Sequence, residues 1–314
     1  MRFRLFPAIV LSFSFIVCCA PRYEHLGGYA QGGRYAVIYN SKGADLSRSE
    51  LQLGVDSILF AIDTTLSGYN SKSQLSRYNR GELSDPSPLF NSAFELAKEF
   101  SDLTGGVVNA GAAPLFDIWG FGFENDSLPS AEKVQSTLKE CYDWHKINYN
   151  SFAQGLSSDI VAGYLRSHGI TDMLVDIGEI YCCGLNASGK GWTVGIDNPR
   201  DGNDSPGAEL RGIWSSEGKS CGIVTSGNYR KYYIVDGVKY SHTIDPRTGY
   251  PVTHGLQSAT VVAPSAALAD AIATYCMVVG LEQAREFILS RPDLEACLID
   301  ESGIWSSDGF TFRQ

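Results

Sequence analysis

Residues Leu5 to Val17 form a predominantly apolar run, preceded by Arg2 and Arg4 and closed by Cys18 and Cys19. That is the pattern of a signal peptide. The run is shorter than the ~20 apolar residues a spanning helix requires. It also stops at cysteines rather than at a small-residue cleavage site, so residues 1–19 read as a lipoprotein signal whose cysteine becomes the lipidated N-terminus. A plain cleaved signal or a short anchor is the alternative. Position minus three is Phe15 for Cys18 and Ile16 for Cys19, which keeps both cysteines as candidates. No second apolar run of spanning length follows, and the remainder, 20–314, is expected as one compact domain tethered at the periplasmic face of a bacterial inner membrane, with outer-membrane sorting open.

Beyond the signal the pattern is mixed. Arg34 to Tyr39 alternates as a half-buried strand does, and Leu51, Val55, Ile58, Leu59, Ile62 and Leu66 fall at helical spacing behind Ser47 or Ser49 as cap. Phe90, Ala93, Phe94, Ala97 and Phe100 predict a second helix that Gly105 and Gly106 end. A third begins near Ser130, and a fourth runs from about Ser158 to His168. Short strands are expected at Met173 to Ile177, Trp192 to Ile196, Gly222 to Thr225, Tyr232 to Val235 and Ser258 to Val262. A last helix covers about Ala266 to Val279 and stops at Gly280. Strands cluster in the second half instead of alternating with helices, which favours an α+β layout over a doubly wound sheet.

Composition narrows the chemistry. With 44 % hydrophobic and 11 % aromatic residues the chain can fill a core, and its net charge of −10 without a basic block argues against nucleic acid. An acidic protein of this kind suits a metal cation or a cofactor. Cys141, Cys182, Cys183, Cys221, Cys276 and Cys297 lack the paired spacing of a zinc site and leave buried thiols or one disulfide open. No Walker A loop or strand-to-helix GxGxxG is present, so a nucleotide here is not bound in either of those ways.

Two segments carry candidate chemistry. The first is Thr225, Ser226, Gly227, Asn228, Tyr229, Arg230, followed by Tyr240 to Gly249. Asp245, Pro246 and Gly249 make a turn that places His242 at a strand end, where an imidazole can accept a proton from an attacking hydroxyl. In the other reading Asp245 and Arg247 are turn and ion-pair residues and His242 merely packs. The second segment is Asp270 to Thr274, whose two oxygen-bearing side chains lie four residues apart on one helix face. Such a pair suits a hard cation such as Mg²⁺; it equally suits a first-turn Asp favoured by the helix dipole beside a back-bonded Thr.

Together these segments resemble the ApbE family of FAD:protein FMN transferases. The likeness extends through Ala30, Gln31, Gly32, Gly33 and Tyr35, through Leu66 to Tyr69 with Ser73 to Asn79, and through Pro114, Leu115 and Trp119 to Gly122. It continues at Ala153, Gln154, Gly155 and Asp159 and at Val175 to Glu179. The resemblance implies an α+β, T-fold-like single domain with mainly antiparallel sheets flanked by helices. It implies FAD as substrate, with its pyrophosphate against Mg²⁺ held by Asp270, Thr274, backbone at Ala273 and the position of Ser151. Gln31, Tyr69, Asn109, Ala110, Gly111, Asn148, Gln154 and Ile244 would line the nucleotide, and His242 with Asp270 would be catalytic. The implied partner is an acceptor flavoprotein subunit carrying a Ser or Thr target. Departures are Val108 to Gly111 in place of Phe-Asp-x-Thr, the single Gly178 before Glu179, Leu156 in place of an aromatic residue, and a short connection between Trp144 and Ala153. A relative that hydrolyses FAD to FMN and AMP, and a flavin-binding lipoprotein without turnover, are the alternatives.

Overall fold

The computed structural model describes residues 22–120, 128–141, 143–200, 202–203, 205, 207–228, 232–235 and 238–313. The signal with Cys18 and Cys19, and Phe121, Gly122, Tyr229 and Arg230 of the motifs, lie outside the described residues.

Serine caps start most of the helices. Ser47 accepts from the Glu50 N–H while the Glu50 carboxylate accepts from the Ser47 N–H, a reciprocal capping box that settles the start of α1 (Arg48–Leu66). Leu51, Val55, Leu59, Ile62 and Leu66 form its buried stripe. Ser73, Ser87 and Ser130 cap α2 (Gln74–Asn79), α3 (Pro88–Leu103) and α5 (Ala131–Glu140), and α4 (Ala113–Ile118) follows a 3-10 turn at Ala110–Ala112. Helix α6 (Ala153–Ser167) begins well before the expected Ser158, because Gly155 is not a helix stop but a point of close approach. Ser265 caps α7 (Ala266–Val279), Gly280 with φ 80° ends it, and α8 (Leu281–Leu289) follows.

The strands are β1 (Tyr23–Ala30), β2 (Gly33–Asn40), β3 (Met173–Asp176), β4 (Ile180–Cys183), β5 (Thr193–Asp197), β6 (Leu210–Ser215), β7 (Cys221–Gly227) and β8 (Tyr232–Val235). After them come β9 (Val238–Ser241), β10 (Ile244–Asp245), β11 (Tyr250–Pro251), β12 (Leu256–Ala263), β13 (Glu295–Asp300), β14 (Gly303–Ser306) and β15 (Phe312–Arg313). Eight of them make one sheet in the order β1-β2-β3-β4-β7-β12-β13-β14. Smaller sheets are β15-β6-β5, β8-β9 and β10-β11, and every pairing among the described residues is antiparallel. The expected α+β class with antiparallel sheets and flanking helices is therefore present.

Alternation along the large sheet sends side chains to two different cores. Val37, Tyr39, Met173 and Val175 join α1, α3 and α6 on one face, and Ala259, Val261, Ala296 and Leu298 meet α7 and α8. Cys182, Ile223, Val262 and Ile299 face the other way, onto Trp192, Ile196 and Trp214 of the small-sheet layer. Helix α7 is buried almost all round, as its apolar sequence demands, and lies on β7 and β12 with α6 alongside. Two glycines permit that approach. A Cβ on Gly155 or on Gly222 would collide with the backbone of Ala266. Among the described residues no helix is long and apolar enough to cross a membrane.

Candidate active site

The first turn of α7 is held by a carboxylate from α6. Asp159 accepts from the Ala266 and Ala267 N–H groups at 2.8 Å each, satisfying donors that a helix start leaves unpaired. Burial pushes its carboxyl up to about 6 against the pull of those two donors. Asp270 follows one turn later, buried, with Oδ2 accepting from the Gly155 N–H at 3.2 Å. Burial pushes Asp270 up to about 7, the Gly155 N–H opposes the rise, and the charge of Asp159 adds to it. Glu179 is raised well above the ordinary range by desolvation, then by Asp270 and Asp176. Burial and neighbouring negative charge are both effects that a bound divalent cation would offset.

Thr274, one turn beyond Asp270, opens onto a cleft. Of the residues expected at the site, Asn109, Asn148, Ser151, His242, Ile244 and Thr274 line it together, with Ser226 and Gly227 from the end of β7. Asn228 holds the His242 segment from both sides. Its Oδ1 accepts from the Ser241 hydroxyl at 2.7 Å and from the Thr243 hydroxyl at 2.6 Å, while Ser241 Oγ accepts from the Thr243 N–H at 3.0 Å. The next turn is closed by Asp245 O accepting from the Gly249 N–H at 2.8 Å and by a two-pronged Arg247 to Asp245 pair. Asp245 and Arg247 are thus turn and ion-pair residues. His242 beside them faces the cleft.

The opposite wall is built from the 3-10 turn. Asn109 caps it, its Oδ1 accepting from the Gly111 N–H at 2.8 Å, and Ala110 O accepts from the Asn148 N–H at 3.0 Å. Ala110 and Gly111 are buried behind Asn109 and do not line the cleft. A Cβ on Gly111 would lie 2.5 Å from the Cys141 carbonyl oxygen and 2.8 Å from Trp144 Cδ1. The missing side chain at this position and the close approach of Cys141 and Trp144 are therefore one adjustment.

The other expected residues stand apart from the cleft. Gln31, at φ 51° in the two-residue turn between β1 and β2, donates from Nε2 to Ser157 Oγ at 2.5 Å. Gln154 packs its amide where a Cβ on Gly178 would sit. Both therefore stand at the start of α6, the turn to which Asp270 bonds through Gly155. Tyr69 is 78 % exposed, and Ala273 is buried within α7. Sequence reasoning assigned no role to Asn228, and none to Asp159 beyond its place in a motif. Asn228 follows Thr-Ser-Gly directly, but only the fold brings it to Ser241 and Thr243.

Asp270 and Thr274 offer a carboxylate and a hydroxyl from one helix face, and Ser151 adds a second hydroxyl in the cleft that Thr274 lines. That set fits a hard cation, which keeps waters and takes ligands from a substrate phosphate. Among the described residues no group of three or more His, Cys, Asp and Glu is placed to hold a metal by itself.

Residues 32–298 match the model of the ApbE family. The FAD:protein FMN transferase of Vibrio cholerae is 32% identical over 82% of this chain and 82% of its own, and that of Escherichia coli K12 is 31% identical over 85% and 83%. Among solved structures, the flavin transferase ApbE from Vibrio cholerae superposes with a TM-score of 0.77 at 29% identity, covering 92% of this chain and 98% of that one. The apo flavinyl transferase ApbE of Pseudomonas stutzeri gives 0.79 at 27%, over 91% and 94%.

Proposed function

This chain belongs to the ApbE family, and from that premise we propose how it acts as a FAD:protein FMN transferase. The observation that carries the reading is the convergence of His242, Thr274, Ser151, Asn148 and Asn109 on one cleft next to buried Asp270. Asp270 and Thr274, with Ser151 and the Ala273 backbone, are the groups that would hold Mg²⁺. When bound, the ion offsets charge on the phosphoryl oxygens and so lowers the barrier to displacement.

His242 accepts the proton of an acceptor Ser or Thr hydroxyl as its oxygen attacks the phosphorus of the FMN half of FAD. The bond from that phosphorus to the bridging oxygen breaks, and AMP leaves with that oxygen. Asn228 holds the hydroxyls of both neighbours of His242, Ser241 and Thr243, and thereby its position. Phosphoryl transfer relies mainly on such positioning and electrostatics, so no nucleophilic triad is required. Gln31, Gln154 and Tyr69 would meet the nucleotide outside the cleft proper, on the α6 side and at the exposed rim.

The supporting residues for location are Arg2, Arg4 and the run to Cys19: the mature chain is lipid-anchored on the periplasmic face of the inner membrane. Mass spectrometry should find an acylated Cys18 or Cys19, and an unmodified downstream terminus would sink that placement. Activity is tested by incubating the purified protein with FAD, Mg²⁺ and an acceptor domain. Flavin covalently on the acceptor is expected. Free FMN with AMP would make the chain a hydrolase, and unchanged FAD would make it a flavin-binding protein.

A further inference from the structure

Cys182 on β4 and Cys221 on β7 are directly opposed in antiparallel register, with their Sγ atoms 3.9 Å apart. Opposed residues of an antiparallel pair have Cα separations of about 4.5–5.5 Å. That range lies inside the roughly 4.4–6.8 Å window in which a disulfide closes without backbone movement. Both side chains point to the same core, at 0 % and 4 % exposure, beside Trp192 and Trp214.

The other thiols are not competitors. Cys183, one residue on, has its sulfur on Ser220 Oγ at 2.9 Å. Cys297 shares the core with the pair, but its opposed residues on β12 and β14 are Thr260 and Ser306. Cys141 and Cys276 belong to other clusters.

We propose that Cys182 and Cys221 are a disulfide site, closed as the chain folds in an oxidising compartment. Only the compartment rests on the export reading of residues 1–19; the pairing rests on register and distance. Both sulfurs are shut from solvent in the folded chain, so exchange takes place while β4 and β7 come together. One cysteine thiolate attacks the S–S bond of an external disulfide, forming a mixed disulfide and releasing one thiol. The second cysteine attacks the mixed disulfide and releases the other thiol. The two protein thiols give up two protons and two electrons in all, which the external disulfide takes up on becoming two thiols. The bond ties the base of the 183–220 excursion, which carries β5 and β6, and stabilises chiefly by restricting the unfolded chain.

The test folds the full chain in mixtures of oxidised and reduced glutathione, then alkylates, digests and maps it without reduction. Expected is a cross-link between the peptides of Cys182 and Cys221 that persists in Cys183→Ser and disappears in Cys182→Ala and in Cys221→Ser. The thermal midpoint of the oxidised protein should lie about 5–10 °C above that of the reduced protein. That difference should vanish in Cys221→Ser, with flavin transfer equal in both redox forms. Alkylation of both sulfurs under oxidising conditions, or a link to Cys183 or Cys297 instead, overturns the proposal. Mapping protein isolated from the cell envelope gives a reading that needs no refolding, and free Cys182 and Cys221 in protein with a processed N-terminus overturns it there too. An unprocessed N-terminus refutes the export reading alone.

Discussion

The two walls of the cleft are built in different ways. One consists of α7 and the His242 segment. Its positions are over-determined: Asp159 grips the start of the helix, Gly155 and Gly222 let it seat, and Asn228 bonds on both sides of His242. The other wall is the turn Asn109 to Ala112 with Asn148 to Ser151. It is held by the Asn109 cap, a backbone bond between Ala110 and Asn148, Asn79 bonding both the N–H and the carbonyl of Ile147, and packing of Gly111 under Cys141 and Trp144. The departures from the ApbE pattern at 108–111 and in the short connection before Ala153 fall in this second wall, while Asp270, Thr274 and His242 sit on the first. A charge-bearing wall fixed by many bonds leaves little room for change. A wall without charged residues can change at two touching places together.

On that division the largest loss comes from the first wall. Asp270→Ala should abolish metal-dependent turnover, a fall of about 10³ or more, because on the proposed function this one carboxylate would supply most of the protein's formal charge at the ion. Thr274→Val should be milder. Acceptor labelling across a Mg²⁺ titration checks both, and a retained wild-type Mg²⁺ dependence in Asp270→Ala would remove the metal from this helix face.

His242→Ala should lower transfer by about 10² to 10⁴, the range a general base contributes, with FAD binding kept. The variant should also lose the acid limb of the rate against pH, since a base works only once deprotonated. Asn228→Ala should act through His242 and cost less, about tenfold in kcat, because Ser241 and Thr243 lose their common acceptor while the imidazole itself remains. Labelling time courses beside flavin fluorescence titrations separate these effects. Equal loss of FAD affinity and rate in Asn228→Ala would mean that it merely holds the fold.

How far the site was legible follows from the same contrast. Helix α7 was readable to the residue, because Ser265, an unbroken apolar run and Gly280 are local signals. His242 and Thr274, which both line the cleft, stand out in the sequence because turn and helix-face chemistry is written over a few adjacent residues. The start of α6 was placed too late, since Gly155 looks like a breaker until the Ala266 backbone beside it is seen. Strands β4 and β10 are too short for alternation to show, and β1 carries Gly27 and Gly28 with a mostly exposed face. Asn228 and Gly111 owe their roles to residues far along the chain, which no periodicity reports.

The second wall is broken most cleanly at Gly111. Gly111→Val should cost about 1–3 kcal/mol of stability, because the new side chain meets a carbonyl and an indole ring in a closed space. Denaturant unfolding would show it, and a neutral result would mean that Cys141 and Trp144 yield easily.

The smallest expected effect is also the sharpest test of that wall. Asn109→Asp restores the carboxylate that the family pattern carries and leaves the turn intact, since Asp accepts from the Gly111 N–H as well as Asn does. The fold should therefore be unchanged, and any change in flavin affinity reports charge alone. Asn109 faces the cleft in which the proposed function places the FAD phosphates. A further negative charge there should weaken FAD binding by about two- to fivefold at low ionic strength, the size of a partly solvated charge repulsion. The effect should shrink as salt screens it. Flavin fluorescence titrations of both proteins at two salt concentrations decide the matter. Weakening that salt relieves places the phosphates against Asn109. Unchanged affinity places them along the α7 wall alone.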